Sequence, residues 1–268
     1  MDNLDYHRIA REFSSRKSLG QNFLISKDIA SMEANYAKGM NVIELGPGTG
    51  ILTSELCKTA KKIIAIEKDA RLYELLKEKL TSKKLILIND DFFSVEISKF
   101  KKIDIMVSNI PYNLSSKVIY WLSANKVPAL ICIQKEFAEH MIAKPGTKSY
   151  SKLSVISTLC FKLYNVREVS AANFYPKPRV DSSIIYLIPK ANELNQELSN
   201  MITLIMNHKK KKLRNAIMDS AKQLQIGKDQ AKAIAGNIND ADTRPLHMEP
   251  EQILEVAQNL NALVASLE

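Results

Sequence analysis

The chain has 268 residues, enough for one large α/β domain plus an appendage and well past the size at which a core needs disulfides or metals to hold it. It is 46% hydrophobic and 25% charged, no apolar run reaches the length of a membrane span, and Met1-Asp2-Asn3-Leu4-Asp5 lacks a secretory pattern, so a soluble, cytoplasmic protein is expected. The net charge of +9 is uneven: residues 1–190 hold 29 Lys and Arg against 19 Asp and Glu, and residues 191–268 hold 9 against 10. That field suits a polyanion such as nucleic acid, although a Lys-rich surface also follows from codon or temperature bias.

In chain order, short β-branched runs alternate with helical patterns from residue 41 to 145, which predicts a doubly wound parallel sheet. Strands are expected at Asn41–Leu45, Lys62–Glu67, Leu85–Asn89, Asp104–Asn109 and Ala129–Gln134. Helices are expected at Ile51–Thr59, Asp69–Leu80, Ser115–Leu122 and Lys135–Ala143, the last stopped by Lys144-Pro145-Gly146. A helix from Ser151 to about Phe161 precedes strands near Val166–Ser170 and at Ser182–Ile188. Their Pro-rich connection, Phe174-Tyr175-Pro176-Lys177-Pro178-Arg179, suggests an antiparallel hairpin closing one sheet edge. Beyond Pro189-Lys190 only helical periodicity remains, interrupted around Asn237–Pro245, so two domains are expected, 1–190 and 191–268. Cys57, Cys132 and Cys160 sit in apolar contexts and read as buried thiols, with no metal role.

Glu44-Leu45-Gly46-Pro47-Gly48-Thr49-Gly50 places a glycine turn between the first strand and first helix, where backbone can approach a ligand closely. Its G-x-G-x-G spacing differs from the dinucleotide fingerprint, because Ile51 stands where that pattern needs a small residue; this disfavours a NAD-dependent oxidoreductase. A tight turn without function is the plainer alternative. Glu67, 21 residues after Gly46, ends the second strand where an acid accepts ribose hydroxyls. Asp91 follows the third strand and can accept from an adenine amino group, with Phe92 against the ring. Each acid alone is more often a cap or a solvated loop residue, but ligand groups at successive carboxyl strand ends converge on one crevice.

Asn109-Ile110-Pro111-Tyr112 ends the fourth strand and suits the presentation of an exocyclic amino nitrogen to an electrophile. The lone pair of such a nitrogen is delocalised into the ring. The Asn109 side-chain oxygen and the Ile110 carbonyl, held rigid by Pro111, can accept both amino hydrogens and localise the pair, while Tyr112 offers a face for an extracted base. An ordinary strand-to-helix turn would also use Asn and Pro. Phe174 is a candidate for the opposite face of the base, or a core aromatic. Lys177 and Arg179 flank that loop, and Arg8, Arg11, Arg16 and Lys17 form another basic group. Lys209, Lys210, Lys211, Lys212 and Arg214 form a phosphate-clamp candidate, for which a solvated helix face is the alternative.

These segments, with Lys17-Ser18-Leu19-Gly20-Gln21-Asn22-Phe23-Leu24, Gln134-Lys135-Glu136, Tyr150–Val155 and Phe174–Ser183, stand in the order and spacing of the KsgA-type rRNA adenine dimethyltransferases, which the chain resembles over nearly its whole length. The resemblance implies a Rossmann-like class I methyltransferase sheet with an antiparallel edge hairpin, plus a small helical C-terminal domain that contacts RNA. It implies S-adenosyl-L-methionine as cofactor and S-adenosyl-L-homocysteine as product. Asn22 and Leu24 would line the methionine side of the donor, with Gly46 and Gly48 beneath it, Glu67 on the ribose, Asp91 on the adenine and Asn109 at the target amino group. The implied reaction dimethylates two adjacent adenosines in a 3′-terminal hairpin loop of small-subunit rRNA in an assembling ribosomal particle, by a monomer away from any membrane. An Erm-type large-subunit rRNA methyltransferase and a non-catalytic nucleic-acid-binding factor on the same fold are the alternatives. Ile110 stands where the family usually has Leu, and the group used there is the backbone carbonyl.

Overall fold

The computed structural model describes residues 5–13, 21–100, 102–191 and 194–267. They cluster into two units, Met1–Ala138 with Leu163–Pro189, and Glu139–Lys162 with Lys190–Glu268. The expected Arg16 and Lys17, and Ser18 to Gly20 of the matched motif, lie outside the described residues.

The first unit begins with helix α1 (Tyr6–Glu12), whose first turn is capped by Asp5 accepting from the Arg8 amide. Strand β1 (Phe23–Leu24) and helix α2 (Lys27–Asn35) follow. Strand and helix then alternate: β2 (Asn41–Leu45), α3 (Ile51–Thr59), β3 (Lys62–Glu67), α4 (Ala70–Lys79), β4 (Leu85–Asn89), β5 (Ile105–Asn109), α5 (Ser115–Asn125) and β6 (Ala129–Gln134). Helix α6 (Lys135–Met141) leads out of β6, and α7 (Lys152–Cys160) lies in the second unit. Strands β7 (Phe161–Val169), β8 (Phe174–Tyr175) and β9 (Ser182–Pro189) complete the sheets.

Seven strands form one sheet in the order β4-β3-β2-β5-β6-β9-β7. The pairings from β4 to β6 are parallel, and β9 runs antiparallel to β6 with Ile184 opposite Cys132. Outside this sheet, β8 pairs antiparallel with β1, Leu24 opposite Phe174. Buried parallel strands read as continuous apolar runs because both faces are covered. Accordingly Val42, Ile43, Ile63, Ala65, Met106, Val107, Leu130 and Ile131 are all fully buried. The chain enters at β2, winds outward through β3 and β4, then returns to β5 on the other side. The carboxyl ends of β2 and β5 therefore frame the switch point at which such sheets bind ligands.

The expected elements differ from the observed ones chiefly at caps. Asp104 was expected to open a strand, but its carboxylate accepts from the Asn41 amide and side chain at 2.9 and 2.8 Å, and β5 begins one residue later. Asp69 likewise stands outside α4 as its cap, accepting from the Arg71 amide. Strand β7 starts at Phe161, earlier than expected, because that residue is already extended and ends α7.

The second unit packs α8 (Gln196–Asn207), α9 (Leu213–Asp219), α10 (Lys228–Asn237) and α11 (Pro250–Ala265) with α7. Ile202, Ile205, Leu213, Ile217, Ile253 and Leu260 are among its buried residues, and the Tyr150 hydroxyl donates to the Met248 carbonyl at 2.9 Å. Glu139–Lys162, read from sequence as part of the first domain, clusters with these helices because α7 packs against α8 and α11. Cys57, Cys132 and Cys160 are buried thiols. Among the described residues no helix is long and apolar enough to cross a membrane.

Candidate active site

A cleft of about 1100 Å³, counting its open mouth, lies at the carboxyl ends of β2, β3 and β5, the place that the strand order dictates. Its floor is the turn after β2. Gly48 has φ +59° and Gly50 φ +87°, a region costly for any residue with a Cβ. Space is also short: a Cβ on Gly50 would stand 2.5 Å from Leu76 Cδ2, and one on Gly48 would stand 3.1 Å from the Phe23 ring. The loop therefore presents bare backbone to the cleft.

Glu67, at the end of β3, holds that loop. One carboxylate oxygen accepts from the Gly48 amide at 3.0 Å and the other from the Asp69 amide at 2.8 Å. Its side chain is buried, and burial pushes its carboxyl above the usual range against the pull of those amides. Asp91 is more open. The Lys68 ammonium at 2.8 Å, then the Phe93 amide at 2.9 Å, hold its carboxyl below the usual range. Phe92, buried beside it, meets Trp121 edge-on at 4.8 Å, and the Lys117 ammonium sits 3.9 Å over the Phe93 ring.

On the β5 side, Asn109 is paired with Cys132 of β6, and the next amide, Ile110 N–H, donates to the Cys132 carbonyl at 3.0 Å. The Asn109 side-chain nitrogen donates to Glu33 Oε2 at 3.2 Å, whereas its Oδ1 is buried with no donor among the described residues. The Pro111 carbonyl accepts from the Leu114 amide at 2.8 Å, closing a turn. The Tyr112 hydroxyl is fixed 2.8 Å from Ser182 Oγ at the start of β9, which limits rotation of its ring.

The cleft wall thus brings together Asn22, Gly46, Gly48, Glu67, Asp91, Asn109, Ile110, Pro111, Tyr112 and Phe174. Leu24 is not in that wall; it is 3% exposed and packs in the apolar core beneath α1 and α2. Phe174 is itself 4% exposed, so it is a core aromatic with one edge on the cleft. Lys177 and Arg179 are exposed and outside the wall.

In the second unit the basic segment is largely engaged. Lys209 donates to the Lys148 and Tyr150 carbonyls, Lys211 pairs with Asp219 at 2.6 Å, and Lys212 and Arg214 share Asp242 at 2.8 and 3.0 Å. Lys210 is exposed.

The family model for ribosomal RNA adenine dimethylase matches residues 12–260. The chain belongs to that family. It is 35% identical over 267 residues, 97% of each chain, to the probable ribosomal RNA small subunit methyltransferase A of Pyrococcus furiosus. A protein of the same name from Methanopyrus kandleri is 34% identical over 266 residues, 95% of each chain. Among solved structures, the chain is similar to a dimethyladenosine transferase from Plasmodium falciparum, with TM-score 0.75 and 26% identity over 90% of this chain and 98% of that one. The 23S rRNA methyltransferase ErmE shares the fold, with TM-score 0.60 and 24% identity over 89% and 99%.

As a dimethylase of this family the protein uses S-adenosylmethionine, and the cleft's residues fit that donor. A side-chain-free glycine floor, a buried carboxylate, a second carboxylate beside an aromatic, and an unsatisfied amide oxygen suit a nucleoside carrying a charged tail. Sequence reasoning missed Glu33 and Lys68. A signal for Glu33 was present, since it shares the apolar face of α2 with Ile29, Ala30 and Ala34.

Proposed function

We propose that the protein dimethylates the exocyclic amino group of two adjacent adenosines in a 3′-terminal hairpin loop of small-subunit rRNA, acting as a cytoplasmic monomer on an assembling subunit. The observation that carries the chemistry is the buried Oδ1 of Asn109, a residue of the cleft wall: it is an acceptor for which no described residue supplies a donor. A buried amide oxygen left unpaired costs stability, and an adenine amino group satisfies it. Asn109 Oδ1 and the Ile110 carbonyl grip the two amino hydrogens and turn the nitrogen lone pair outward. Tyr112, pinned through Ser182, stacks the extracted base, and the edge of Phe174 borders its other side. Glu67 and Asp91 hold the ribose and adenine of the donor, with Asn22 and the Gly46–Gly48 backbone around its tail. Bound S-adenosylmethionine supplies an electrophilic methyl group. The residues contribute placement and dipole orientation, the dominant needs of a transfer whose leaving group is neutral.

The small-subunit target is supported by the curated relatives, which share 34–36% identity with the chain and carry that subunit in their names. Exposed Lys177, Arg179 and Lys210 supply phosphate contacts that position RNA without reading its sequence. The test is labelled-methyl transfer to under-methylated small and large ribosomal subunits, followed by nucleoside analysis. Dimethyladenosine in small-subunit RNA alone is expected. Label in large-subunit RNA would assign an Erm-type activity, and RNA binding without label a non-catalytic factor.

A further inference from the structure

Glu33 is fully buried on α2, yet reaches across 76 residues of sequence to the side chain that ends β5. Glu44, whose Oε2 accepts from Thr53 Oγ1 at 2.8 Å, and Glu67 are buried acids of the same unit. Glu44 and Glu67 have evident structural work, tying α3 to β2 and the glycine loop to β3. Among the described residues the Glu33 carboxyl has the hydrogen bond from Asn109 Nδ2, and its Oε1 is buried without a partner. A carboxyl so placed destabilises the fold relative to an apolar side chain on the same stripe.

A carboxamide has two ends of nearly equal shape and opposite polarity. If Asn109 accepts a hydrogen from the target nitrogen, Oδ1 must face the cleft and Nδ2 must face the protein; a turned amide would present N–H to a group that itself donates. Ionised, a carboxylate is an acceptor only. We infer that Glu33 is a positioning residue, whose carboxylate holds Asn109 Nδ2 and thereby fixes Oδ1 toward the cleft. The inference rests on the proposed role of Asn109.

Burial pushes the Glu33 carboxyl up to about 8, against the pull of the Asn109 hydrogen bond. Neutral Glu33 carries its own O–H, which matches Oδ1 of a turned amide; the ionised form removes that alternative. The titratable groups facing it are Glu44 of β2, itself raised to about 8, and Cys132 of β6, raised by burial, with Glu67 acting on Glu44. The productive polarity therefore gains as pH rises through about 8.

The experiment compares wild type, Glu33→Gln, Asn109→Ala and the double variant, with Glu44→Gln as a control for the neighbouring acid. Gln keeps the shape but offers either polarity. For Glu33→Gln, kcat is expected to fall about tenfold, the scale of one lost orienting hydrogen bond, with donor affinity by calorimetry within about twofold. Its kcat should be flat where wild type and Glu44→Gln rise through about pH 8. In the Asn109→Ala background, the same change should cost nothing further, because a residue acting through Asn109 has nothing left to orient. Independently of turnover, the Asn109 side-chain amide signals in NMR of the wild-type protein should shift through about pH 8. Wild-type turnover and pH profile in Glu33→Gln, additive loss in the double variant, or amide signals insensitive to pH would overturn the inference. An inactive wild type would sink the function proposed above, and this inference with it.

Discussion

The cleft of the first unit and the basic segment of the second hold their polar groups in opposite ways. In the cleft, groups are fixed from within the fold: two backbone amides grip Glu67, a strand end places Asn109, and the Ser182 hydroxyl pins Tyr112. In residues 211–214, side chains meet other side chains on the surface, so Asp219 and Asp242 offset charge that the sequence alone counts as free. Fixed dipoles suit a reaction that needs one geometry, and exchangeable surface pairs suit a backbone polyanion that displaces them.

The sharpest way to break this contrast is Asn109→Ala. Turnover should fall by about 10²- to 10³-fold, the usual loss for one preorganised polar group, while calorimetry shows donor affinity changed less than about threefold. Equal losses in both would move Asn109 to the donor. Next comes Glu67→Ala, which removes both the proposed ribose contact and the loop's anchor. Donor binding should weaken by about 10- to 100-fold, as for a lost hydrogen bond to a charged group, and unchanged affinity by calorimetry would remove Glu67 from the donor site. Smaller again is the effect of Lys210→Ala with Lys212→Ala. RNA affinity should drop several-fold and the slope of log affinity against log salt should shrink by about one to two, whereas Lys209→Ala should lower thermal stability more than RNA affinity. The reverse pattern would make the segment a structural turn.

The smallest effect concerns stability. Burial raises the Glu44 carboxyl to about 8, so the folded state keeps a proton that the unfolded chain releases above about 4.5. The contribution is fully present below about pH 4.5 and lost as pH rises to about 8. Glu44→Gln escapes that loss, and its melting temperature should exceed wild type by about 3 °C or more at pH 8, with the gap shrinking toward pH 5. A gap independent of pH would mean that Glu44 does not titrate in this window.

The same contrast explains what was legible in the sequence. The parallel strands were readable because continuous apolar runs follow from burial on both faces, and Gly46, Glu67, Asp91 and Asn109 because strand ends in a doubly wound sheet converge. The place of Glu33 on the apolar stripe of α2 was a signal, but its partner was not readable, since only the fold brings α2 behind β5 and Asn109. The pairing of Lys211 with Asp219 and of Lys212 with Asp242 also needed the turns of the helical unit. The two-residue pairing of β1 with β8 is too short for any periodicity to show, and it places Phe174 opposite Leu24, in the core as much as in the cleft.

A crystal structure with S-adenosylhomocysteine and adenosine bound tests the central claim most directly. The adenosine amino nitrogen should lie within hydrogen-bond reach, about 3 Å, of both Asn109 Oδ1 and the Ile110 carbonyl, with the base against Tyr112. An adenosine seated elsewhere, or an amino group meeting Asn109 Nδ2, would contradict the account.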